Sequence, residues 1–216
     1  KALEGLNSLF GVHVYPDLSV GKIGIKSGTF TAAAGELEID IIGDGGHGAR
    51  PHEAVDSIWI AAKVVSGLQE AISRSLDALN PVVISFGKVS GGNAFNVIAE
   101  KVKLLGTVRC LDSDLYEKLP EWIEQIVSNI ASTYGAKAIV KFRSIAPPVY
   151  NDLALTNLLL NCSKNIVGED NIVHLQKPSL GAEDFAFLVQ DVPGTMFRLG
   201  VAGEKGCAPL HNGLFS

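Results

Sequence analysis

The sequence predicts an α/β chain: a ferredoxin-like β-α-β-β-α-β module over residues 29–145, inserted in an incomplete α/β unit made of residues 1–28 and 146–216. Strand-type and helix-type hydrophobic periods follow one another in that order through the middle of the chain. The texture also changes at two seams. Ser27-Gly28-Thr29 leads into Thr31-Ala32-Ala33-Ala34-Gly35, and Ala146-Pro147-Pro148 sets an extended connection. Neither flank is large enough to form a core alone, so the two are expected to be pieces of one interrupted domain.

Within the module, Leu37, Ile39 and Ile41 alternate with Glu38 and Asp40, the period of a half-buried strand. Ile58, Ala61, Ala62, Val65, Leu68 and Ile72 recur at three- and four-residue steps, which predicts an amphipathic helix. Val82, Ile84 and Phe86 mark a second strand, and Gly91-Gly92-Asn93 punctuates the chain after it. Val102, Leu104 and Val108 lie on a third strand, with Lys101 and Lys103 on its other face. Asp112 or Ser113 can cap a second helix striped by Leu115, Leu119, Ile123, Ile126 and Ile130, and Tyr134-Gly135 ends it. A last strand alternates Ala136, Ala138, Val140 and Phe142 with Lys137, Lys141 and Arg143. With both helices on one face, the other sheet face or an edge strand needs a cover, so packing against a second copy is expected. In the flanks, 9–14 and 20–25 read as short strands, the first of them buried. Residues 153–167 read as a helix ending at Gly168, 184–189 as a short helix and 195–199 as a buried strand.

Composition narrows the function. The chain has 216 residues, 47% of them hydrophobic, which excludes general disorder. A formal net charge of −5 argues against a nucleic-acid partner. No apolar run approaches the roughly 20 residues of a spanning helix, and none has a secretion-signal pattern, so no membrane association is expected. Three scattered cysteines without a CxxC pair fit a reducing compartment, and the cytoplasm is the expected location. The chain starts at Lys1 and its one methionine is Met196, so a fragment is expected.

Five histidines are the main candidates for chemistry. His174 and His52 read as structural or solvated. His13 is expected at the C-terminal end of a buried strand and His211 in the loop after strand 195–199, positions where α/β folds hold ligands and metals. Two histidines alone do not complete a site. His47 sits in Gly43-Asp44-Gly45-Gly46-His47-Gly48, where glycines permit positive φ or close approach. The lysine of a phosphate-binding loop is missing there. No Ser/His/Asp or Cys/His constellation can be built. Glu183-Asp184 fits either a helix N-terminal pair or a catalytic role.

The stretches FGVHVYPDLSVGKI (10–23), GDGGHGARPHEAVDSI (43–58), GGNAFNVIAEKVKLLGTVR (91–109), GAEDFAF (181–187) and PLHNGLF (209–215) are collinear over nearly the whole chain. Together they resemble the metal-dependent N-acyl-amino-acid amidohydrolase and aminoacylase peptidase family, which includes hippurate and auxin-conjugate hydrolases. The resemblance implies a two-metal hydrolase domain interrupted by a dimerisation domain, with a homodimer formed through 29–145. It implies His13 and His211 as ligands of two divalent metal ions, zinc or manganese by ligand type. His47 is implied to reach into the partner subunit's site and polarise the scissile carbonyl. Asn96 and Arg109 match substrate-contacting positions, the latter suited to an α-carboxylate, although Arg109 also fits a structural ion pair. The implied substrate is an N-acyl amino acid, hydrolysed at its amide by a metal-activated water. Ala99 stands where relatives usually have proline, a change expected to affect local turn rigidity. The family's remaining ligands and its general base fall upstream of Lys1, so the chain by itself is expected to be inactive. The alternative is a stand-alone ferredoxin-like dimerisation or small-molecule-binding module without catalysis.

Overall fold

The structure is a computed structural model that describes residues 3–204 and 206–210. Along it run β1 (Leu9–Ser19), β2 (Ile23–Ile25), β3 (Gly28–Thr29), β4 (Ala33–Ile42), β5 (Gly46–His47), α1 (Ser57–Ser75), β6 (Val82–Gly91), β7 (Val97–Ile98) and β8 (Lys101–Cys110). There follow α2 (Ser113–Thr133), β9 (Lys137–Ala146), β10 (Tyr150–Asn151), α3 (Leu153–Val167), β11 (Ile172–His174), α4 (Phe185–Leu188) and β12 (Gly194–Ala202). The chain divides into two compact units. Ala33–Ile145 forms one, and the segments ending at Ala32 and beginning at Ala146 form the other. No helix among the described residues is long and apolar enough to cross a membrane.

In the Ala33–Ile145 unit the sheet order is β6-β8-β4-β9, the ferredoxin-like order for a β-α-β-β-α-β chain. β4 and β8 pair antiparallel from Ala33↔Cys110 to Ile42↔Lys101, and β6 pairs antiparallel with β8. Asp56 caps α1 by accepting from the Ile58 and Trp59 amides, and Asp112 caps α2 by accepting from Leu115. Gly135, at φ 81°, ends α2 in the left-handed conformation that glycine adopts without strain. The alternating side chains Leu37, Ile39 and Ile41 of β4 and Leu104 and Val108 of β8 meet Ile60, Val64 and Leu68 of α1 and Leu119, Ile123 and Val127 of α2 in one core. The buried Tyr116 hydroxyl donates to the Ala34 carbonyl at 2.6 Å, and desolvation pushes its phenol above the usual range.

The other face of this sheet covers itself with charge. Lys103 Nζ lies 2.7 Å and Lys141 Nζ 3.1 Å from Glu38, Lys101 lies 3.0 Å from Asp40, and Arg143 pairs with Glu36. It therefore needs no apolar cover, which leaves the edge strand of the two alternatives drawn from the helix placement. The edges differ. β9 carries Lys137, Lys141 and Arg143, whereas the exposed half of β6 from Ser85 to Gly91 has only Lys88. Beside β6, Ile58, Ala61, Ala62 and Val65 of α1 and Val89, Val102 and Leu104 line an apolar groove of about 490 Å³.

The other unit has a four-stranded sheet of order β1-β12-β2-β11. β1 runs parallel to β12 from Leu9↔Gly194 to Tyr15↔Gly200, β12 is antiparallel to β2, and β2 is parallel to β11. Asp152 caps α3, and Phe30, Val149, Ala186 and Met196 form a small core. Among the described residues β1 pairs only with β12, so Phe10 and Val12 are half exposed where a buried strand was expected.

Candidate functional site

The GDGGHG loop is held by backbone close approach, not by positive φ, since none of Gly43, Gly45, Gly46 and Gly48 has a left-handed conformation. A Cβ on Gly43 would lie 2.2 Å from the Val55 carbonyl oxygen, and one on Gly48 2.9 Å from that of Asn96. Only glycine leaves room for that packing. The Gly43 amide donates to Glu100, the Gly48 amide donates to Asn96 at 2.8 Å, and β5 pairs antiparallel with β7 through Gly46↔Ile98 and His47↔Val97. The loop is thus zipped against residues 96–100, which brings His47 and Asn96 to one open cleft of about 770 Å³ together with Gly91, Gly92, Lys101 and Lys103.

His47 is exposed, and its Nδ1 accepts from the Ala49 amide at 3.1 Å. In a neutral imidazole the proton then resides on Nε2, which is left as a donor. That is the group needed to polarise a carbonyl oxygen or hold an oxyanion.

Arg109 lies elsewhere. It is on β8, opposite Ala34 and Val83, eight residues from Lys101. At about 3.3 Å per residue that is roughly 26 Å along the strand from the His47 end. Its guanidinium donates to Thr107 Oγ1 and, at 3.0 Å, to the Val108 carbonyl. Among the described residues no carboxylate lies within salt-bridge distance of it, so the structural ion pair is not formed. One copy of the chain does not bring Arg109 together with His47 and Asn96.

In the other unit, His13 sits inside β1 and not at its end, because the strand continues to Ser19 with its parallel pairing maintained to Tyr15. Its Nδ1 is 2.7 Å from the Val14 carbonyl oxygen, which fixes the proton on Nδ1 and leaves the Nε2 lone pair open. Glu183 Oε1 lies 3.8 Å from that nitrogen and accepts from Arg198 Nη1 at 3.0 Å. His13 and Arg198 are register partners on neighbouring strands. Sequence reasoning left the role of Glu183 open. The available signal was Arg198, a charge set in the apolar run 195–199, which demands a partner when buried. Asp184 occupies the N-cap of α4 without a side-chain cap bond. His52 is exposed, 3.6 Å from Glu53, and His174 ends β11. His211 lies outside the described residues.

No group of three or more His, Cys, Asp or Glu side chains among the described residues could hold a metal ion. The open Nε2 of His13 fits a divalent metal as one donor of a larger set.

A peptidase dimerisation domain model, M20_dimer, matches residues 27–135. The chain belongs to the M20 peptidase family. Within it, the chain is 49% identical over 216 residues to the "Probable hydrolase sll0100" of Synechocystis sp., covering 99% of this chain and 55% of that protein. It is 38% identical over 206 residues to N-acetyldiaminopimelate deacetylase of Bacillus cytotoxicus, covering 95% of this chain and 54% of that one. The chain therefore spans about half the length of these curated relatives. Its fold matches that of the Bacillus subtilis YXEP protein, described as a dinuclear metal binding peptidase of the M20 family, with TM-score 0.81 and 30% identity over 100% of this chain and 53% of that one.

Proposed function

We propose that this M20 chain is the dimerisation module (29–145) and two pieces of the catalytic domain (1–28 and 146–216) of a metal-dependent amidohydrolase that releases the acyl group of N-acyl amino acids. The observation that carries the reading is the exposed His47, its Nδ1 accepting from the Ala49 amide, in a cleft shared with Asn96. The deacetylase relative supports an acylated amino acid as the substrate class. Among the described residues no complete ligand set is formed, and on this reading the 216 residues need the remainder of the enzyme for activity. Its three cysteines are free thiols, which fits the cytoplasm.

His13 and His211 would hold the metal ions, and imidazole ligands of this kind suit zinc or manganese. Bound divalent ions supply Lewis-acid polarisation of the amide and activation of water. This chain's own groups do the rest. Nε2–H of His47 donates to the scissile carbonyl oxygen, Asn96 orients the substrate beside it, and Arg109 pairs with the α-carboxylate through its planar fork.

The roughly 26 Å between Arg109 and the His47 end is too long for one amino-acid substrate to touch both in the same copy. A homodimer resolves this, with a site taking His47 and Asn96 from one copy and Arg109 from the other. The edge strand β6, with Lys88 as its one charge, and the apolar groove beside α1 suit the contact between copies.

Mixing two inactive full-length variants tests this. His47→Ala should lose turnover while keeping its metal, and His13→Ala should lose metal. If His47 acts across the dimer, re-equilibrated mixtures regain about a quarter of wild-type activity, since half the dimers are mixed and each has one intact site. No recovery from dimers shown to have exchanged subunits would refute the trans-acting role.

A further inference from the structure

We infer that Glu183 is a positioning residue of the metal site: its carboxylate neutralises Arg198 beside His13, so that a divalent cation can be held there. The inference rests on the reading of His13 as a metal ligand.

His13 of β1 and Arg198 of β12 are direct partners in a parallel ladder, so their side chains leave the sheet on the same face. Tyr15, two residues on from His13, shares that face, and its ring lies 5.4 Å from the Arg198 guanidinium carbon. The Phe30 ring closes the other approach at 5.0 Å. The Arg198 side chain is 6% exposed. The charge of a guanidinium in such surroundings is poorly screened by water. Placed next to a metal-ligating imidazole, it opposes any approaching dication.

Glu183 answers that charge. It comes from the loop before α4, is itself only 13% exposed, and accepts from Arg198 Nη1 at 3.0 Å. Its Oε1 stands 3.8 Å from His13 Nε2, too far for a hydrogen bond that would occupy the nitrogen. The pair Arg198–Glu183 is neutral as a unit, and the Nε2 lone pair is left available. The carboxylate thus orders the guanidinium and cancels its repulsion, in the way groups behind a ligand commonly tune affinity.

The test is calorimetric titration of Mn²⁺ into the metal-free full-length protein. His13→Ala should lose stoichiometric binding of one ion. Glu183→Gln, which keeps shape and removes charge, should raise the dissociation constant of that ion about 10–100-fold. The double variant Glu183→Gln/Arg198→Met removes both charges and should return it to within about threefold of wild type, a rescue that a purely structural role would not give. If the single variant does not fold, the double variant alone carries the test, and a loss as large as that in His13→Ala overturns the proposal. Loss in His13→Ala with unchanged affinity in Glu183→Gln overturns the proposal but leaves the ligand reading standing. Unchanged binding in His13→Ala overturns that reading and the proposal with it.

Discussion

Replacing Asn151 by alanine should be among the costliest changes in the unit that carries His13. β12 is paired to β2 only at Arg198 and Leu199, so the backbone of Met196 has no strand partner on that side. The fully buried Asn151 side chain supplies one. Its Oδ1 accepts from the Met196 amide at 2.8 Å, and its Nδ2 donates to the carbonyls of Met196 at 2.7 Å and Lys26 at 2.8 Å. Alanine removes three hydrogen bonds and orphans one amide and two carbonyls in a dry site. At about 1–3 kcal/mol for each abandoned group, less relaxation, the loss should be about 3–5 kcal/mol. Asn151→Asp should be no better, because it turns an oxygen toward two carbonyls. Urea unfolding of the full-length protein, followed by circular dichroism, measures the effect. With a slope of about 2 kcal/mol/M the midpoint of the affected transition should fall by about 1.5–2.5 M. A loss below about 1 kcal/mol would mean that water replaces the amide at no cost, and the ladder argument would be wrong.

Gly43→Ala should lower the thermal midpoint substantially, costing about 2–4 kcal/mol, because the new Cβ would meet the Val55 carbonyl oxygen at 2.2 Å. An unchanged melt would show that the loop can move away. Acid stability should depend on Glu38, whose carboxyl is held below its ordinary value by hydrogen bonds from Lys103 and Lys141. A depressed folded-state value stabilises above the unfolded value, near pH 4.3, and that contribution is lost as pH falls through the folded value. Chemical unfolding across pH 2–7 should therefore show a shallower acid decline in Glu38→Gln than in wild type, and equal slopes would exclude the carboxylate.

The inserted module was legible because its long strands and helices each carry their own period and Asp112 marks the start of α2. The pairing of β1 was not legible for a related reason. The run Leu9-Phe10-Gly11-Val12 is apolar whether the strand is central or at an edge, and only pairing distinguishes the two. β5 and β7 have two residues each, too short for any period, and their pairing depends on glycines tolerating close backbone contact. Glu183 and Arg198 are fifteen residues apart, joined by a loop whose course no local pattern sets. His47 and Asn96 were singled out by resemblance, and the structure adds how a zipped loop brings them to one cleft. The distance from them to Arg109 follows from strand length and could be counted once β8 was located.

The charges on the open sheet face also govern which mistakes the folding chain can make. β4 carries Glu36, Glu38 and Asp40 in one column, flanked by lysines and an arginine from β8 and β9. In a crowd of half-folded chains, two copies of β4 laid side by side would set acid against acid, and two copies of β9 would set base against base. Both self-pairings are discouraged before any native contact forms. β6 is free of such a column, so the strand with least protection against its own copy is the one left at an open edge. Aggregation hazard and productive assembly are thereby confined to the same few residues.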